Sequence, residues 1–193
     1  TLYDHAGKLE GQGRDEDALA YLRDARAYRN LLLVERPNED FAHTMLRQLY
    51  FAAFMEPYWQ ACLEHADPVI AGVAGKAVKE MAYHIRHAGE WVIRLGDGTE
   101  ESARRMQEAV TALHIYTGEL FEEGAAAGHL PARAAMRAPW DQTIGMVFAE
   151  ACLDVPEVPV AQTGGRSGLH GEALGHMLAE MQVLHRAHPG AVW

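Results

Sequence analysis

The chain has 193 residues, of which 49% are apolar, with a mean hydropathy of −0.20 and a formal net charge of −10. This length and composition are those of a single globular domain, and the negative charge argues against a nucleic-acid-binding surface, which needs clustered Lys and Arg. No apolar run approaches the ~20 residues that span a bilayer, so we expect no membrane segment.

Helix signals dominate the N-terminal half of the chain. The opening TLYDHAGKLEG has the pattern of the last turns of a helix before a glycine loop, so we expect the natural polypeptide to begin before Thr1. A short segment over 15–30 follows, which an aspartate can cap. An asparagine followed by two acidic residues predicts the start of a helix over 38–63. Pro57 should kink that helix or release part of its hydrogen bonding.

Capping and glycine signals continue through the C-terminal half. Asp67 and Pro68 supply a cap and a first-turn proline, and Thr99 opens another helix after a glycine turn. An Ala-rich connection follows Gly124, and a Pro-rich loop covers 154–168. The predicted helices of this half are 68–95, 99–121, 140–153 and 170–187.

These patterns together indicate the fold class. No segment shows sustained alternation of apolar and polar residues between turn signals, so a β-sheet is not expected. Long amphipathic helices with short connections favour an all-α fold, an antiparallel helix bundle that forms one domain over 1–193.

The cysteines indicate the compartment. Cys62 and Cys152 are widely separated, and no basic-then-apolar leader opens the sequence. Proteins of oxidising compartments usually carry a leader and paired cysteines, and this sequence shows neither pattern. We therefore predict a cytoplasmic protein with free thiols.

Two acid–histidine pairs about forty residues apart are the candidate site. Asp40 and His43 lie in NEDFAHTM, and Glu80 and His84 lie in KEMAYHIRH, each within a predicted helix. Residues three or four apart share a helix face, so each pair can point to one spot, as can Glu39 with His43. If the two helices pack antiparallel, both pairs fall near the same level. Bundles that hold two metal ions use inward-facing carboxylates and histidines with an acid three residues before a histidine.

The ligand set is incomplete. A two-metal site of this kind needs four acids and two histidines, whereas one pair here has Asp in place of Glu and the other is spaced by four residues. The next helix offers Glu108 and His114 six residues apart. An acid–histidine pair on a helix is also a common structural hydrogen bond. A metal site and a structural pair both remain open from the residues alone.

The last predicted helix carries a second group of acids and histidines. Its apolar residues recur at helical spacing and predict a buried stripe, comprising Leu174, Met177, Leu178, Met181 and Leu184. Its polar residues are interpreted as a solvated face rather than a metal cluster, and comprise His170, Glu172, His176 and Glu180.

Four segments together resemble one known family. NLLLVERPNEDFAHTMLRQ, KAVKEMAYHIRHAGEWVIRLGDGTEES, RMQEAVTALHIYTGELF and QTGGRSGLHGEALGHMLAEMQVLHRAHPGAVW occur here in order and cover nearly the whole chain. They are similar to the C-type subunits of the bacterial phenylacetyl-CoA 1,2-epoxidase. The EWVIRLGDGTEES turn and the QTGGR block are the distinctive parts, because generic helix patterning explains neither.

The resemblance implies a ferritin-like bundle that supports catalysis by a different polypeptide. In that family an A-type partner holds a di-iron centre, and the C-type subunit lacks a full ligand set. Asp40, His43, Glu80 and His84 then mark the remnant of a metal site, with no catalytic residue, metal or cofactor in this chain. The resemblance also implies that the family's first core helix lies before Thr1.

The leading hypothesis is therefore a non-catalytic structural subunit that docks on the A-type subunit as a hetero-oligomer, or forms a homodimer when alone. Apolar helix faces would form the interface, and the candidate aromatic contributors are Tyr50, Tyr58, Trp59 and Trp91. The alternative is a di-metal oxidase or monooxygenase subunit that binds its own iron. A third hypothesis is a helical binding protein unrelated to oxygenation.

Overall fold

The structure is a computed structural model that describes residues 1–124, 128–158 and 160–191. These ranges contain no β-strand, and the predicted all-α class is confirmed. Their α-helices are α1 Leu2–Glu10, α2 Glu16–Tyr21, α3 Phe41–Ala61, α4 Pro68–Gly96, α5 Glu100–Leu113, α6 Arg137–Glu150 and α7 Glu172–Ala187. Their 3-10 segments are Ala25–Ala27, Leu32–Glu35, His114–Phe121, Arg133–Met136 and Gly165–Ser167. Residues 125–127 of the predicted Ala-rich connection and Pro159 of the Pro-rich loop lie outside the described residues.

Side-chain caps begin several helices where the sequence predicts them. In each cap a side-chain oxygen accepts a backbone N–H of the first turn, and the capping residues are Asp15 (2.8 Å), Asp67 (2.8 Å) and Thr99 (3.2 Å). Pro68 occupies the first turn of α4, where its missing N–H breaks no helical hydrogen bond. Helix α3 differs from the prediction, because its N-cap is Asp40 rather than Asn38.

Two predicted helices are shorter than expected. The segment over 15–30 is α-helical only to Tyr21. The helix over 99–121 ends as an α-helix at Leu113 and continues as a tighter 3-10 segment. There the Thr117 hydroxyl donates to the His114 carbonyl oxygen at 2.8 Å and satisfies a group near the helix end. Pro57, by contrast, lies inside α3, which runs on to Ala61.

The chain divides into two compact units. The bundle unit is Arg36–Thr163, and the terminal unit is Thr1–Glu35 together with Gly164–Trp193. This division does not test the expectation that 1–193 forms a single domain, which stays a prediction.

Helices α3 to α6 alternate in direction within the bundle unit. Phe41, the first residue of α3, packs edge-on against Trp91 near the end of α4, with ring centroids 5.0 Å apart. The two helices are therefore antiparallel, as their short connection requires. Arg105 in the first half of α5 lies 3.7 Å from Asp40 at the start of α3, so α5 runs in the same direction as α3. The predicted ferritin-like antiparallel bundle is thus confirmed.

The end of α4 lies against the end of α6. A Cβ atom at Gly96 would stand 2.3 Å from the carbonyl oxygen of Ala151, so only glycine allows this approach. The buried residues of α4 are all small, namely Ala74, Ala88, Gly89, Val92 and Gly96. The other helices supply the large core side chains, which include Leu46, Leu49, Tyr50, Phe54, Met106, Trp140, Ile144 and Phe148. No residue of α4 between Ala74 and Ala88 is fully buried, so this stretch lies at the edge of the bundle.

Length alone would allow two helices to cross a bilayer. Helix α3 has 21 residues and α4 has 29. Neither these nor any other helix in the described part of the chain is both long enough and apolar enough to cross a membrane.

In the terminal unit, α7 packs against α2 and the segment Ala25–Ala27. The buried residues of α7 are Leu174, Leu178 and Gln182. The Gln182 amide donates to the carbonyl oxygens of Tyr21 and Arg23 at 2.7 and 2.9 Å. The predicted buried stripe is therefore only partly correct, because three of its members are exposed: Met177, Met181 and Leu184. The helix buries a narrow i, i+4 row, and the neighbouring row faces solvent.

Candidate functional site

The first acid–histidine pair forms the N-terminal cap of α3. Asp40 has an extended backbone conformation, and its Oδ1 accepts the backbone N–H of His43 at 3.1 Å. The same oxygen lies 2.7 Å from His43 Nδ1, which donates to it, since an ionised carboxylate only accepts. Both contacts hold Asp40 at the end of the helix. The carboxylate and imidazole therefore satisfy one another rather than a shared external ligand.

The second oxygen of Asp40 faces a cation. Arg105 of α5 lies 3.7 Å from Oδ2. Burial raises the pKa of Asp40, but the hydrogen bonds from His43 and the charges of His43 and Arg105 together lower it below its ordinary value. The guanidinium supplies the positive charge that a metal ion would bring. Both oxygens are engaged, so this pair does not fit the ligand role that a two-metal centre requires.

The second acid–histidine pair is not assembled. Glu80 is exposed on α4, whereas His84 is half-buried. Within the described ranges no hydrogen bond or ion pair joins the two side chains. The ring of His84 instead meets Tyr83, with centroids 5.6 Å apart. Glu39 is exposed and has a positive φ of 46°, and within the described residues no hydrogen bond or ion pair joins it to His43.

The two pairs lie at different levels of the bundle. Phe41, the neighbour of Asp40, packs against Trp91, which is seven residues beyond His84 in α4. Seven residues correspond to roughly 10 Å along a helix axis. The expectation that both pairs meet at one level is therefore wrong. In the described part of the chain no three or more His, Cys, Asp or Glu side chains converge as a metal-binding group.

Aromatic rings fill the interior of the bundle unit. Tyr50 of α3 is fully buried and lies within 5.7 Å of His114, 5.5 Å of Trp140 and 6.1 Å of Phe148, centroid to centroid. Trp140 Nε1 donates to the Tyr50 carbonyl oxygen at 3.0 Å. Phe121 extends the cluster, since its ring is 5.5 Å from that of Trp140. The side chains of this cluster are thus aromatic, and the bundle unit also fully buries one carboxylate, that of Glu119 in the segment His114–Phe121.

One polar contact lies inside the aromatic cluster. The Tyr50 hydroxyl is 2.9 Å from His114 Nδ1. Burial raises the pKa of Tyr50, so the phenol stays protonated. Burial, with the nearby charge of Arg137, lowers the pKa of His114, so the neutral ring accepts this hydrogen bond. The contact satisfies a buried hydroxyl and needs no ligand.

A third acid–histidine pair lies in the terminal unit and was not predicted. His170 Nδ1 is 2.5 Å from Glu35 Oε1, although 135 residues separate them, and both side chains are about 5–6% exposed. His170 Nε2 faces the Tyr28 carbonyl oxygen at 3.1 Å. Asn30 and the Gly171 backbone N–H also donate to Glu35, at 2.6 and 2.7 Å. The carboxylate is saturated by donors, so the pair ties together distant segments of the unit.

The expectation that His170 lies on a solvated face is therefore wrong, whereas the same interpretation of Glu172 and His176 is correct. Those two side chains are 89% and 75% exposed and 3.3 Å apart. The sequence gives one signal that His170 is not part of the solvated face of α7. Leu169 and His170 lie between two glycines, Gly168 and Gly171, which interrupt the helical pattern just before α7.

The aromatic residues proposed for an interface fall into two groups. Tyr50 and Tyr58 are buried in the bundle unit, so they belong to its core. Trp59 and Trp91 are partly exposed. The ring of Trp91 packs against Phe41, and the Arg94 guanidinium lies 4.9 Å from the centroid of the same ring.

The whole chain resembles known proteins. A family model described as phenylacetic acid catabolic protein matches residues 1–193. The chain is also 43% identical to the C-type subunit of the 1,2-phenylacetyl-CoA epoxidase of Escherichia coli (strain K12), in an alignment that covers 98% of this chain and 78% of that protein. The resemblance found in the sequence segments is confirmed. The chain belongs to the family of phenylacetic acid catabolic proteins.

Proposed function

We propose that this chain is the structural, non-catalytic C-type subunit of a phenylacetyl-CoA epoxidase in aerobic phenylacetate degradation. It docks on an A-type subunit as part of a cytoplasmic hetero-oligomer and stabilises it. The A-type subunit holds the di-iron centre and performs the epoxidation, whereas this chain holds neither metal nor cofactor. The 43% identity to the C-type subunit of the Escherichia coli enzyme supports the assignment.

The proposal rests on the helix-capping role of Asp40 and His43. In a catalytic bundle such a pair points its carboxylate and imidazole at metal ions. Here the pair caps α3 and faces Arg105, and Glu80 is exposed away from it. The aromatic cluster around Tyr50 occupies the core. These features support a bundle kept for its shape rather than for chemistry.

Exposed apolar residues on α7 support an assembly role. Met177 and Met181 are about half exposed, and with Tyr21 and Val34 they line a cavity of about 370 Å³ in the terminal unit. Contiguous apolar surface of this kind is typical of protein–protein contacts. A permanent partner would cover it.

Co-expression with the A-type subunit tests the proposal. We expect a stable complex whose iron stays with the A-type subunit when the two chains are separated. Epoxidation of phenylacetyl-CoA should survive Asp40→Asn, which keeps the helix cap, and Glu80→Gln, which alters an exposed side chain. Both variants should bind the partner as the unchanged chain does.

Two results would contradict the proposal in different ways. About two tightly bound irons per copy of this chain, lost in the Asp40→Asn variant, would favour the di-metal oxygenase. Failure to associate with the A-type subunit under any condition would favour a helical binding protein outside the epoxidase.

A further inference from the structure

The outer face of α4 carries a row of cations without acidic partners in the described part of the chain. Lys76, Lys79 and Arg86 are exposed, and within the described residues none of them makes a hydrogen bond or an ion pair. With Tyr83 they are spaced by three, four and three residues, so all four lie on one face over about 15 Å. Two of the three lysines of the chain lie here, in a protein of net charge −10.

The acidic residues of α4 do not pair with these cations in the described part of the chain. Glu80 follows Lys76 by four residues, and Glu90 follows Arg86 by four, which is the less favourable order for a helical ion pair. Helix α5 pairs its charges in both orders, because Arg104 lies 2.6 Å from Glu108, four residues after it. There Glu101 precedes Arg104 and Arg105 and pairs with both, at 2.9 and 2.7 Å.

An aromatic side chain is held in place at the centre of this basic face. Tyr83 is 51% exposed, and its ring stacks on that of His87 with centroids 5.8 Å apart and planes 11° from parallel. The guanidinium of Arg86 lies 5.7 Å from the same ring. A fixed tyrosine beside cations loses little conformational entropy on binding, and Tyr and Arg are enriched among residues that dominate interfaces.

The surroundings of the face are open at the N-terminal end of α4. A Cβ atom at Gly72 or Gly75 would meet no atom within 4 Å, so the backbone of α4 is accessible at this end. A small anionic ligand normally binds in a concave site, whereas an exposed ridge suits another macromolecular surface. The face is also charged rather than apolar, which is typical of a dissociable, salt-sensitive contact rather than of a permanent subunit interface.

We infer that the α4 face formed by Lys76, Lys79, Tyr83 and Arg86 is a docking surface for an acidic segment of a dissociable protein partner. This partner is additional to the A-type subunit of the proposed function. Charge complementarity speeds its encounter with a protein that otherwise repels acidic surfaces. Tyr83 then supplies the apolar contact that fixes its position.

Fluorescence anisotropy with a labelled oligoglutamate peptide tests the charge requirement on the full chain at low ionic strength. We expect saturable binding that weakens about tenfold in the Lys76→Gln/Lys79→Gln variant and weakens as salt is raised. Lys8→Gln/Arg104→Gln is the matched control, because it removes two cations that are already paired with Asp4, Glu101 and Glu108. No binding by the unchanged chain, or equal weakening in the control, would overturn the inference.

Tyr83→Ala separates a built surface from general charge attraction. It leaves the net charge unchanged, so the inference predicts a loss of several-fold in peptide affinity with normal helix content. Unchanged affinity would mean that the cations alone attract the peptide, and would overturn the docking surface as defined. Tighter binding to phosphatidylglycerol vesicles than to the peptide, or displacement of the peptide by equimolar coenzyme A, would replace the protein partner by a membrane or a small anion.

Amine acetylation of the complex with the A-type subunit locates the permanent interface. We expect Lys76 and Lys79 to be acetylated as fast in the complex as in the free chain, with Lys8 as the internal reference. Strong protection of both would place the A-type subunit on this face and overturn the inference. If no complex forms, the proposed function fails. The peptide measurements on the chain alone would still test the docking surface.

Discussion

The buried pair Glu35–His170 and the helix-capping pair Asp40–His43 use the same chemical groups in opposite ways. Glu35 and His170 are 135 residues apart, about 5–6% exposed, and their carboxylate is saturated by donors. Asp40 and His43 are three residues apart and 27% and 15% exposed. The first pair joins distant segments, and the second finishes one helix.

Spacing in the sequence therefore does not predict how deeply an acid–histidine pair is buried. A local pair such as Asp40–His43 needs only its own helix to bring its groups together, so its contribution to stability is that of a cap. A distant pair must be brought together by the fold and is desolvated in the process, so breaking it leaves buried groups without partners. Breaking the distant pair should therefore destabilise the fold more than removing the helix cap.

Glu35→Gln should have the largest effect. The amide keeps the shape but turns one acceptor oxygen into an NH₂ donor, which then faces the donors of Asn30, His170 or Gly171. We expect the free energy of unfolding to fall by about 3 kcal/mol, the scale of a broken buried pair. Chemical denaturation followed by circular dichroism, with hydrogen exchange of the α7 amides, measures it.

Glu172→Gln is the matched control in the same unit. Its carboxylate is 89% exposed and only 3.3 Å from His176, so its stability should stay within about 0.5 kcal/mol of the unchanged protein. Equal losses in both variants would remove the distinction between a buried distant pair and an exposed local one.

Tyr50→Phe should have an intermediate effect. The hydroxyl bonds to His114, 64 residues away, but only one hydrogen bond is lost and the ring packing is kept. We expect a loss of about 1–2 kcal/mol, because the half-buried imidazole nitrogen loses its donor. Tyr83→Phe is the control, since that exposed hydroxyl has no hydrogen-bond partner in the described chain. Identical stability of the two variants in denaturant titrations would show that burial of the Tyr50–His114 bond is irrelevant.

Local features of the fold were predictable from the sequence, whereas long-range ones were not. The caps at Asp15, Asp67 and Thr99 follow from side chains within a turn of the groups they bond, so short patterns reveal them. The Glu35–His170 pair has no such pattern, because its partners meet only after folding. For the candidate site, the spacing of Asp40 and His43 predicted their contact, but only the structure assigned that contact to a cap.

The α7 stripe shows the same limit. Helical periodicity groups Leu174 with Met177 because both follow a 3.6-residue repeat. How wide a strip a neighbour covers depends on the tertiary packing, and here it covers Leu174 and leaves Met177 about half exposed. Periodicity therefore predicted the helix correctly and its buried face too broadly.

Asp40→Ala should cost about 1 kcal/mol at neutral pH, the usual value of an N-cap. The pKa of Asp40 is lowered from its ordinary value of 3.8, so the folded state favours the ionised form. The contribution of its charge is therefore present above about pH 4 and is lost as the pH falls through the folded-state pKa. Denaturation curves across this range should show the gap between the variant and the unchanged protein narrowing at low pH. Asp40→Asn should lose less, because asparagine also caps.

A gap between Asp40→Ala and the unchanged protein that keeps its full size below the folded-state pKa would contradict this account. It would mean that the aspartate stabilises α3 through a neutral acceptor oxygen or through packing, and that its charge contributes nothing.

Glu80→Gln should have the smallest effect, within about 0.5 kcal/mol, because the side chain is exposed and joins no pair in the described residues. A double-mutant cycle that combines Glu80→Gln with Asp40→Asn tests whether the two acid–histidine pairs are energetically coupled. Roughly 10 Å along the bundle separates the two acid–histidine pairs, so their effects on unfolding should add to within about 0.5 kcal/mol. Two carboxylates that repel across a shared metal site would couple strongly, since removing one charge would relieve the other. Additivity, measured by denaturation with and without added iron, would therefore separate two unrelated local pairs from the halves of one centre.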